Sequence, residues 1–77
     1  MPITIKFFAH LREEFNIDEM QVDYQDNLSV LQIWQNATGQ TQLPDKVLIA
    51  VNQEYTNETH LVKENDEVAF FPPVTGG

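Results

Sequence analysis

The chain has 77 residues, no cysteine, and twelve acidic against four basic residues, for a formal charge of −8. A chain of this length forms one small domain without room for the internal cleft of an ordinary enzyme, and the lack of cysteine excludes disulfides, thiolate metal sites and a cysteine nucleophile. The acidity argues against nucleic acid and anionic membranes as partners and suits a partner with a basic face, although it would equally serve only to keep a small protein soluble.

The N-terminal segment predicts a strand with one buried face. Over about residues 2–9, apolar and polar residues alternate with the period of two that a half-buried strand shows. The inward set is Ile3, Ile5 and Phe7. Phe8 therefore falls on the outward face, where a large aromatic ring is unexpected.

A short helical turn and a second strand follow. Within residues 10–15, Leu11 and Phe15 stand four apart, the spacing at which helical side chains lie on one face, and they would cover one end of the core. Residues 19–24 alternate again and predict a strand, of which Val22 is an expected core residue.

The main helix is predicted over residues 30–38. Ser29 is followed three residues later by Gln32, so the two can form a capping box in which each side chain satisfies a backbone N–H of the other. Gly39 stands where a left-handed cap would end the helix. The apolar stripe that should face the sheet contains Val30, Ile33, Trp34 and Ala37.

Three further segments predict strands. Residues 46–52 are nearly all apolar and indicate a buried strand with Ile49 in the core, and residues 54–56 indicate a short edge segment beyond a turn. Residues 67–72 alternate once more. The inward residues of this last strand are Val68 and Phe70.

The order of the elements predicts an α+β fold, with one mixed sheet of four to five strands and a single main helix across one face. Phe8 and Phe71 would then end the first and last strands on the helix-free face. If those strands lie side by side and parallel, the two rings meet. An exposed aromatic pair on an acidic surface favours a docking patch, which Tyr55 of the edge segment would join; the alternative is that a loop covers one ring.

The C-terminal segment predicts an extended tail. Pro72 and Pro73 stop the last strand, because neither has an N–H and both fix φ, and they favour a stiff spacer of the polyproline type. The remaining residues are Val74, Thr75, Gly76 and Gly77. Glycine has no Cβ, so this end could thread a narrow tunnel. The alternative is an ordinary frayed terminus.

Metal binding, membrane insertion and independent catalysis find no support in the sequence. His10 and His60 match no metal-ligand spacing and are expected on the surface. No apolar run reaches transmembrane length and the N-terminus lacks the apolar region of a signal peptide, so a soluble, cytoplasmic protein is expected. A glycine-rich phosphate loop and a base–nucleophile pair are both missing.

Three blocks of sequence carry a resemblance to a known family. They are IKFFA at residues 5–9, AVNQ at residues 50–53 and DEVAFFPPVTGG at residues 66–77. With them the chain resembles the ubiquitin-like β-grasp sulfur carriers and, within that family, the small subunits of molybdopterin synthase. Gly-Gly alone would also fit thiamin-pathway carriers and ubiquitin-like modifiers, whereas the preceding Phe-Phe-Pro-Pro is typical of the molybdopterin branch. Residues 16–42 match in pattern only.

The resemblance implies a sulfur carrier of molybdenum cofactor biosynthesis that is not an enzyme alone. In that family a ubiquitin-activating-like enzyme adenylates the C-terminal carboxylate with ATP, and a sulfurtransferase then replaces the AMP by sulfur. The resulting thiocarboxylate donates its sulfur to a pterin precursor within the large catalytic subunit of the synthase. The domain itself would bind no cofactor, since the activating partner consumes the ATP.

The resemblance and the exposed aromatic residues together give the expected site residues. A β-grasp domain of residues 1–71 would carry a functional tail of residues 72–77, whose reactive end is Gly76 and Gly77. The expected partner-binding residues are Phe8, Tyr55, Phe71, Pro72, Pro73, Val74 and Thr75. Three other functions stay open on the sequence: a modifier joined to lysines of target proteins through Gly77, a sulfur carrier of the thiamin-pathway type, and an interaction module with a passive tail.

Overall fold

The computed structural model describes residues 2–44 and 46–72. The elements in chain order are β1 (Ile3–Phe7), α1 (Ala9–Phe15), β2 (Glu19–Val22), α2 (Val30–Thr38), β3 (Leu48–Val51), β4 (Glu54–Thr56) and β5 (Glu67–Phe71). The extended spacer predicted from Pro72 onward lies, beyond Pro72 itself, outside the described residues.

The five strands form one mixed sheet in the order β2–β1–β5–β3–β4. β1 and β5 lie side by side and run parallel, with Phe7 opposite Phe70. The other neighbouring pairs are antiparallel. The predicted α+β fold is confirmed. Because β1 and β5 are parallel, their C-terminal ends lie next to each other at the same end of the sheet.

α2 begins and ends where the sequence predicts. The Ser29 side chain accepts a hydrogen bond from the Gln32 N–H at 3.2 Å, and the Gln32 side chain accepts one from the Ser29 N–H at 2.9 Å. At the other end Gly39 takes a φ of 78°, a left-handed conformation that favours glycine, and its N–H donates to the Gln35 carbonyl at 2.9 Å. The capping box and the glycine cap are both confirmed.

An aromatic cluster fills the core between α2 and the sheet. The ring centroid of Phe70 lies 5.5 Å from that of Phe7 and 5.1 Å from that of Trp34. Phe15 of α1 covers one end of this cluster, as predicted, with its ring centroid 5.4 Å from that of Trp34. The buried indole N–H of Trp34 donates to the Gln42 carbonyl at 3.0 Å, so burial leaves this polar group satisfied.

Strand ends and one core assignment differ from the predictions. β1 ends at Phe7 rather than at residue 9, because Phe8 is the N-cap residue of α1 and Ala9 turns the chain with a φ of 55°. Val22 is half-buried rather than a full core residue, since β2 is an edge strand and has a neighbour on one side only. The strands predicted over 19–24, 46–52 and 67–72 are likewise shorter, as the bounds above give.

Candidate functional site

Three aromatic rings form an exposed cluster on the helix-free face of the sheet. We call Phe8, Tyr55 and Phe71 the docking patch. Phe8 is 44% exposed and Tyr55 is 72% exposed, while Phe71 between them is half-buried. The ring centroid of Phe71 lies 6.3 Å from that of Phe8 and 5.8 Å from that of Tyr55. The predicted meeting of Phe8 and Phe71 is confirmed; the docking role stays a prediction.

Strand pairing explains why Phe8 and Phe71 meet. Phe7 and Phe70 are partners in the parallel register and point into the core. The residue that follows each of them points to the opposite face, because successive side chains of a strand alternate. The Phe8 N–H also donates to the Phe70 carbonyl at 3.1 Å, which continues the pairing by one residue beyond β1. The two outward rings therefore stand side by side.

Two alanines make a shallow depression beside the rings. Ala50 of β3 lies opposite Ala69 of β5 on one side and opposite Tyr55 of β4 on the other. Because the methyl groups of both alanines are short, the surface between the rings is hollow, with a volume of about 590 Å³. The polar wall of the depression consists of Lys6, Gln53 and Glu67. Such a hollow suits an apolar side chain of a docked protein.

An ion pair lies within this polar wall. The Lys6 ammonium is 2.9 Å from a Glu67 carboxylate oxygen and 4.0 Å from one of Glu19. The hydrogen bond to Glu67, followed by the charge of that carboxylate, raises the pKa of Lys6 above its ordinary value of 10.5. The lysine therefore stays charged at neutral pH. Sequence reasoning missed this pair, although the alternation already placed both residues on the outward face.

A partly buried polar cluster of Asn52 and Asp66 holds the hairpin that carries Tyr55. The Asn52 amide donates to the Asp66 carboxylate at 2.9 Å and accepts from the Glu67 N–H at 3.0 Å. Asp66 is only 9% exposed and accepts a second hydrogen bond from the Lys63 N–H at 2.7 Å. The turn after β3 is thereby tied to the start of β5. The sequence predicts a turn after β3 but does not predict this contact with the start of β5.

The docking patch stands where the chain leaves the sheet. β5 ends at Phe71, and the next residue, Pro72, is half-buried. Pro72 also lines a second shallow groove against α1 and the segment near Pro44. The other predicted residues of the tail lie outside the described part of the chain. They are Pro73, Val74, Thr75, Gly76 and Gly77.

Two further classes of site find no support among residues 2–44 and 46–72. No group of three or more histidine, aspartate and glutamate side chains there could hold a metal ion. His10 and His60 are both exposed, as predicted. In the same ranges no helix has the length and apolar character needed to cross a membrane.

Comparison with known proteins identifies a family model and full-length relatives. Residues 5–77 match the model of the ThiS family. The molybdopterin synthase sulfur carrier subunit of Escherichia coli (strain K12) is 41% identical, in an alignment that covers 97% of this chain and 99% of that protein.

Two solved structures share the fold. SAMP1 from Haloferax volcanii superposes with a TM-score of 0.81 at 25% identity, over 100% of both chains. A structure of the complex of subunits 1 and 2 of the molybdopterin-converting factor from Helicobacter pylori 26695 matches with a TM-score of 0.63 at 21% identity, again over 100% of both chains. These likenesses confirm the ubiquitin-like β-grasp fold that the resemblance implied.

Proposed function

Since this chain belongs to the ThiS family, we propose that it is the sulfur carrier subunit of a molybdopterin synthase. The relative from Escherichia coli bears that name and aligns over nearly the whole length of both chains. One feature of the structure carries the proposal: a partly exposed aromatic patch stands at the end of β5, the last strand before the Gly-Gly sequence. A sulfur carrier needs both a docking surface and a nearby tail, because a partner enzyme must bind the folded domain while it modifies the C-terminal carboxylate.

The proposed reaction takes place at the carboxylate of Gly77. An α-carboxyl group has a pKa of about 3.3–3.7, so it is ionised at neutral pH and acts as an oxygen nucleophile. One oxygen attacks the α-phosphorus of ATP on an adenylating enzyme of the ubiquitin-activating type, and the bond to pyrophosphate breaks. The product is an acyl-adenylate. A carboxylate is a poor acyl electrophile, and AMP supplies the leaving group that it lacks.

Sulfur then replaces AMP. The terminal sulfur of a persulfide on a sulfurtransferase attacks the carbonyl carbon of Gly77, a C–S bond forms, and the C–O bond to AMP breaks. A thiol then reduces the S–S bond of the resulting acyl disulfide and releases the carrier from the sulfurtransferase. The thiocarboxylate so formed donates its sulfur to a pterin precursor in the large catalytic subunit. The chain is thus a substrate and a sulfur donor, and it takes part in catalysis only within that complex.

We assign the docking patch to partner recognition in both stages. An apolar side chain of the partner would fill the depression over Ala50 and Ala69, and the rings around it would exclude water. Pro72, Pro73, Val74 and Thr75 would then contact the channel that leads to the reactive centre. The complex of two subunits known from Helicobacter pylori supports a large subunit as one such partner.

Deletion of Gly77 tests the proposal most directly. The variant keeps a carboxylate, now on Gly76, but shortens the reach of the tail by about 3.3 Å. Attack on phosphorus requires the reacting atoms within about 3–3.5 Å and aligned, so we expect ATP–pyrophosphate exchange with the activating enzyme to be abolished. An added residue after Gly77 should also fail, because the carboxylate would overshoot. The control is the melting temperature, which should stay unchanged because both changes lie beyond β5.

Exchange as fast as that of the parent in both variants would refute the role of the tail. Mass spectrometry of the protein from its native cells then separates the remaining functions. Replacement of one oxygen by sulfur at Gly77 supports the carrier. Remnants of Gly77 on lysines of other proteins would indicate a modifier instead, and an unmodified tail would indicate a passive interaction module.

A further inference from the structure

Lys6 places a positive charge within the docking patch. It lines the same depression as Phe8, Tyr55 and Phe71, and its side chain is 36% exposed. The chain has only four basic residues in all. A protein that covers the three rings would therefore also cover the Lys6 ammonium.

The ammonium has more hydrogen-bond donors than residues 2–44 and 46–72 satisfy. It carries three N–H groups, and Glu67 at 2.9 Å accepts one of them. Glu19, at 4.0 Å, lies beyond hydrogen-bonding distance. Because the side chain is 36% exposed, its other donors are open to water in the free protein. A docked partner that removes this water must supply an acceptor, because a charged donor left without one weakens the complex.

The surrounding charges select a neutral acceptor. Glu67 already neutralises the ammonium, and Glu19 adds a second negative charge nearby. A carboxylate from the partner would place three negative groups around one positive group in a desolvated site. A carbonyl oxygen completes the hydrogen bonds without that excess.

We propose that Lys6 is a specificity-determining residue of the docking patch and donates a hydrogen bond to a neutral carbonyl oxygen on the large subunit. This inference rests on the proposed function, which supplies the large subunit as the partner. Glu67 is the positioning residue, since its carboxylate holds the ammonium in place over the depression. A competing protein with an apolar group at this point would leave the remaining N–H groups of the ammonium without an acceptor, and so would bind more weakly.

The test is titration calorimetry of the large subunit against four proteins: the parent, Lys6→Met, Glu67→Gln and the double variant. We expect Lys6→Met to weaken binding about tenfold, because the lost donor contacts the partner directly. Glu67→Gln should weaken binding less, since the ammonium remains. The double variant should bind as weakly as Lys6→Met, because removal of Glu67 cannot restore a contact with the partner.

Lys63→Met is the matched control, because it changes the net charge equally in an exposed turn outside the depression. Its affinity should equal that of the parent or rise slightly, since loss of a positive charge favours a basic partner. Melting temperatures of all variants report the fold separately. The cost of Lys6→Met, measured relative to Lys63→Met so that the shared change in net charge cancels, should be the same at low and high salt, as a neutral acceptor requires.

Three results would overturn this inference and leave the proposed function intact. They are parent-like affinity of Lys6→Met, recovery of affinity in the double variant, and a loss of affinity in Lys6→Met, relative to Lys63→Met, that shrinks as salt is added. Recovery would mean that Lys6 only neutralises Glu67, and a salt-dependent cost would mean a carboxylate acceptor. Absence of binding by the parent protein would instead overturn the proposed function together with this inference.

Discussion

The two faces of the sheet carry neighbouring phenylalanines that differ in burial. Phe7 and Phe70 point toward α2 and are almost completely buried. Phe8 and Phe71 follow them directly, point the other way, and stay partly exposed. Residue type is identical in each pair, so the presence of a helix over one face alone decides which ring joins the core. The covered face is thus expected to govern stability, and the open face to govern recognition.

The largest expected effect is the loss of stability when a ring on the covered face is removed. Phe7→Ala removes a buried ring that contacts Phe70, Trp34 and Phe15, and the cavity should lower the free energy of unfolding by about 3–5 kcal/mol. That is a large share of the 5–15 kcal/mol typical of a whole domain. Chemical denaturation monitored by Trp34 fluorescence measures it. An unfolding midpoint equal to that of the parent would show that the two faces have been exchanged.

Substitution of a ring on the open face should lower the affinity for a partner and leave the stability of the fold unchanged. Phe71→Ala removes the ring that contacts both Phe8 and Tyr55, and we expect the affinity for the large subunit to fall by more than about 1 kcal/mol with the fold intact. Calorimetric titration gives the affinity. Leu61→Ala is a suitable control, because Leu61 is a 51% exposed apolar residue outside the patch. Equal losses for the two variants would mean that recognition is not confined to the patch.

The smallest effect concerns the ion pair on the open face. The raised pKa of Lys6 means that folding favours its protonated form, so the stabilisation is present below the unfolded pKa of 10.5 and is lost as pH rises through the higher folded value. The difference in melting temperature between the parent and Lys6→Met should therefore be constant from neutral pH to near pH 10.5. It should shrink only above that value. A difference that changes near neutral pH would contradict the assigned pair.

Short-range signals made much of the fold predictable from sequence. The capping box of Ser29 and Gln32 and the cap at Gly39 each depend on residues a few positions apart. Both caps are present in the structure. Alternation along β1 and β5 likewise predicted that Phe8 and Phe71 face outward. These features need no knowledge of the tertiary fold, because backbone geometry alone determines them.

Interactions across the sheet could not be predicted in the same way. Lys6 and Glu67 are separated by nearly the whole chain, and only the parallel pairing of β1 with β5 makes them neighbours. Asp66 belongs to a run of polar residues that is typical of an exposed turn. It is buried because Asn52 and the Lys63 N–H satisfy its carboxylate. Val22 is only half-buried because the strand order leaves β2 at an edge.

The central position of β5 has a consequence for biosynthesis. A ribosome makes β1 to β4 and both helices before it makes β5, yet β1 and β3 each require β5 as a neighbour. A nascent chain that stops before Glu67 would leave two unpaired strand edges and an open core, and such species are prone to aggregation and proteolysis. Completion of the sheet is therefore coupled to synthesis of the segment that bears Phe71 and leads into the tail. Incomplete translation products would therefore be degraded rather than accumulate beside the intact chain.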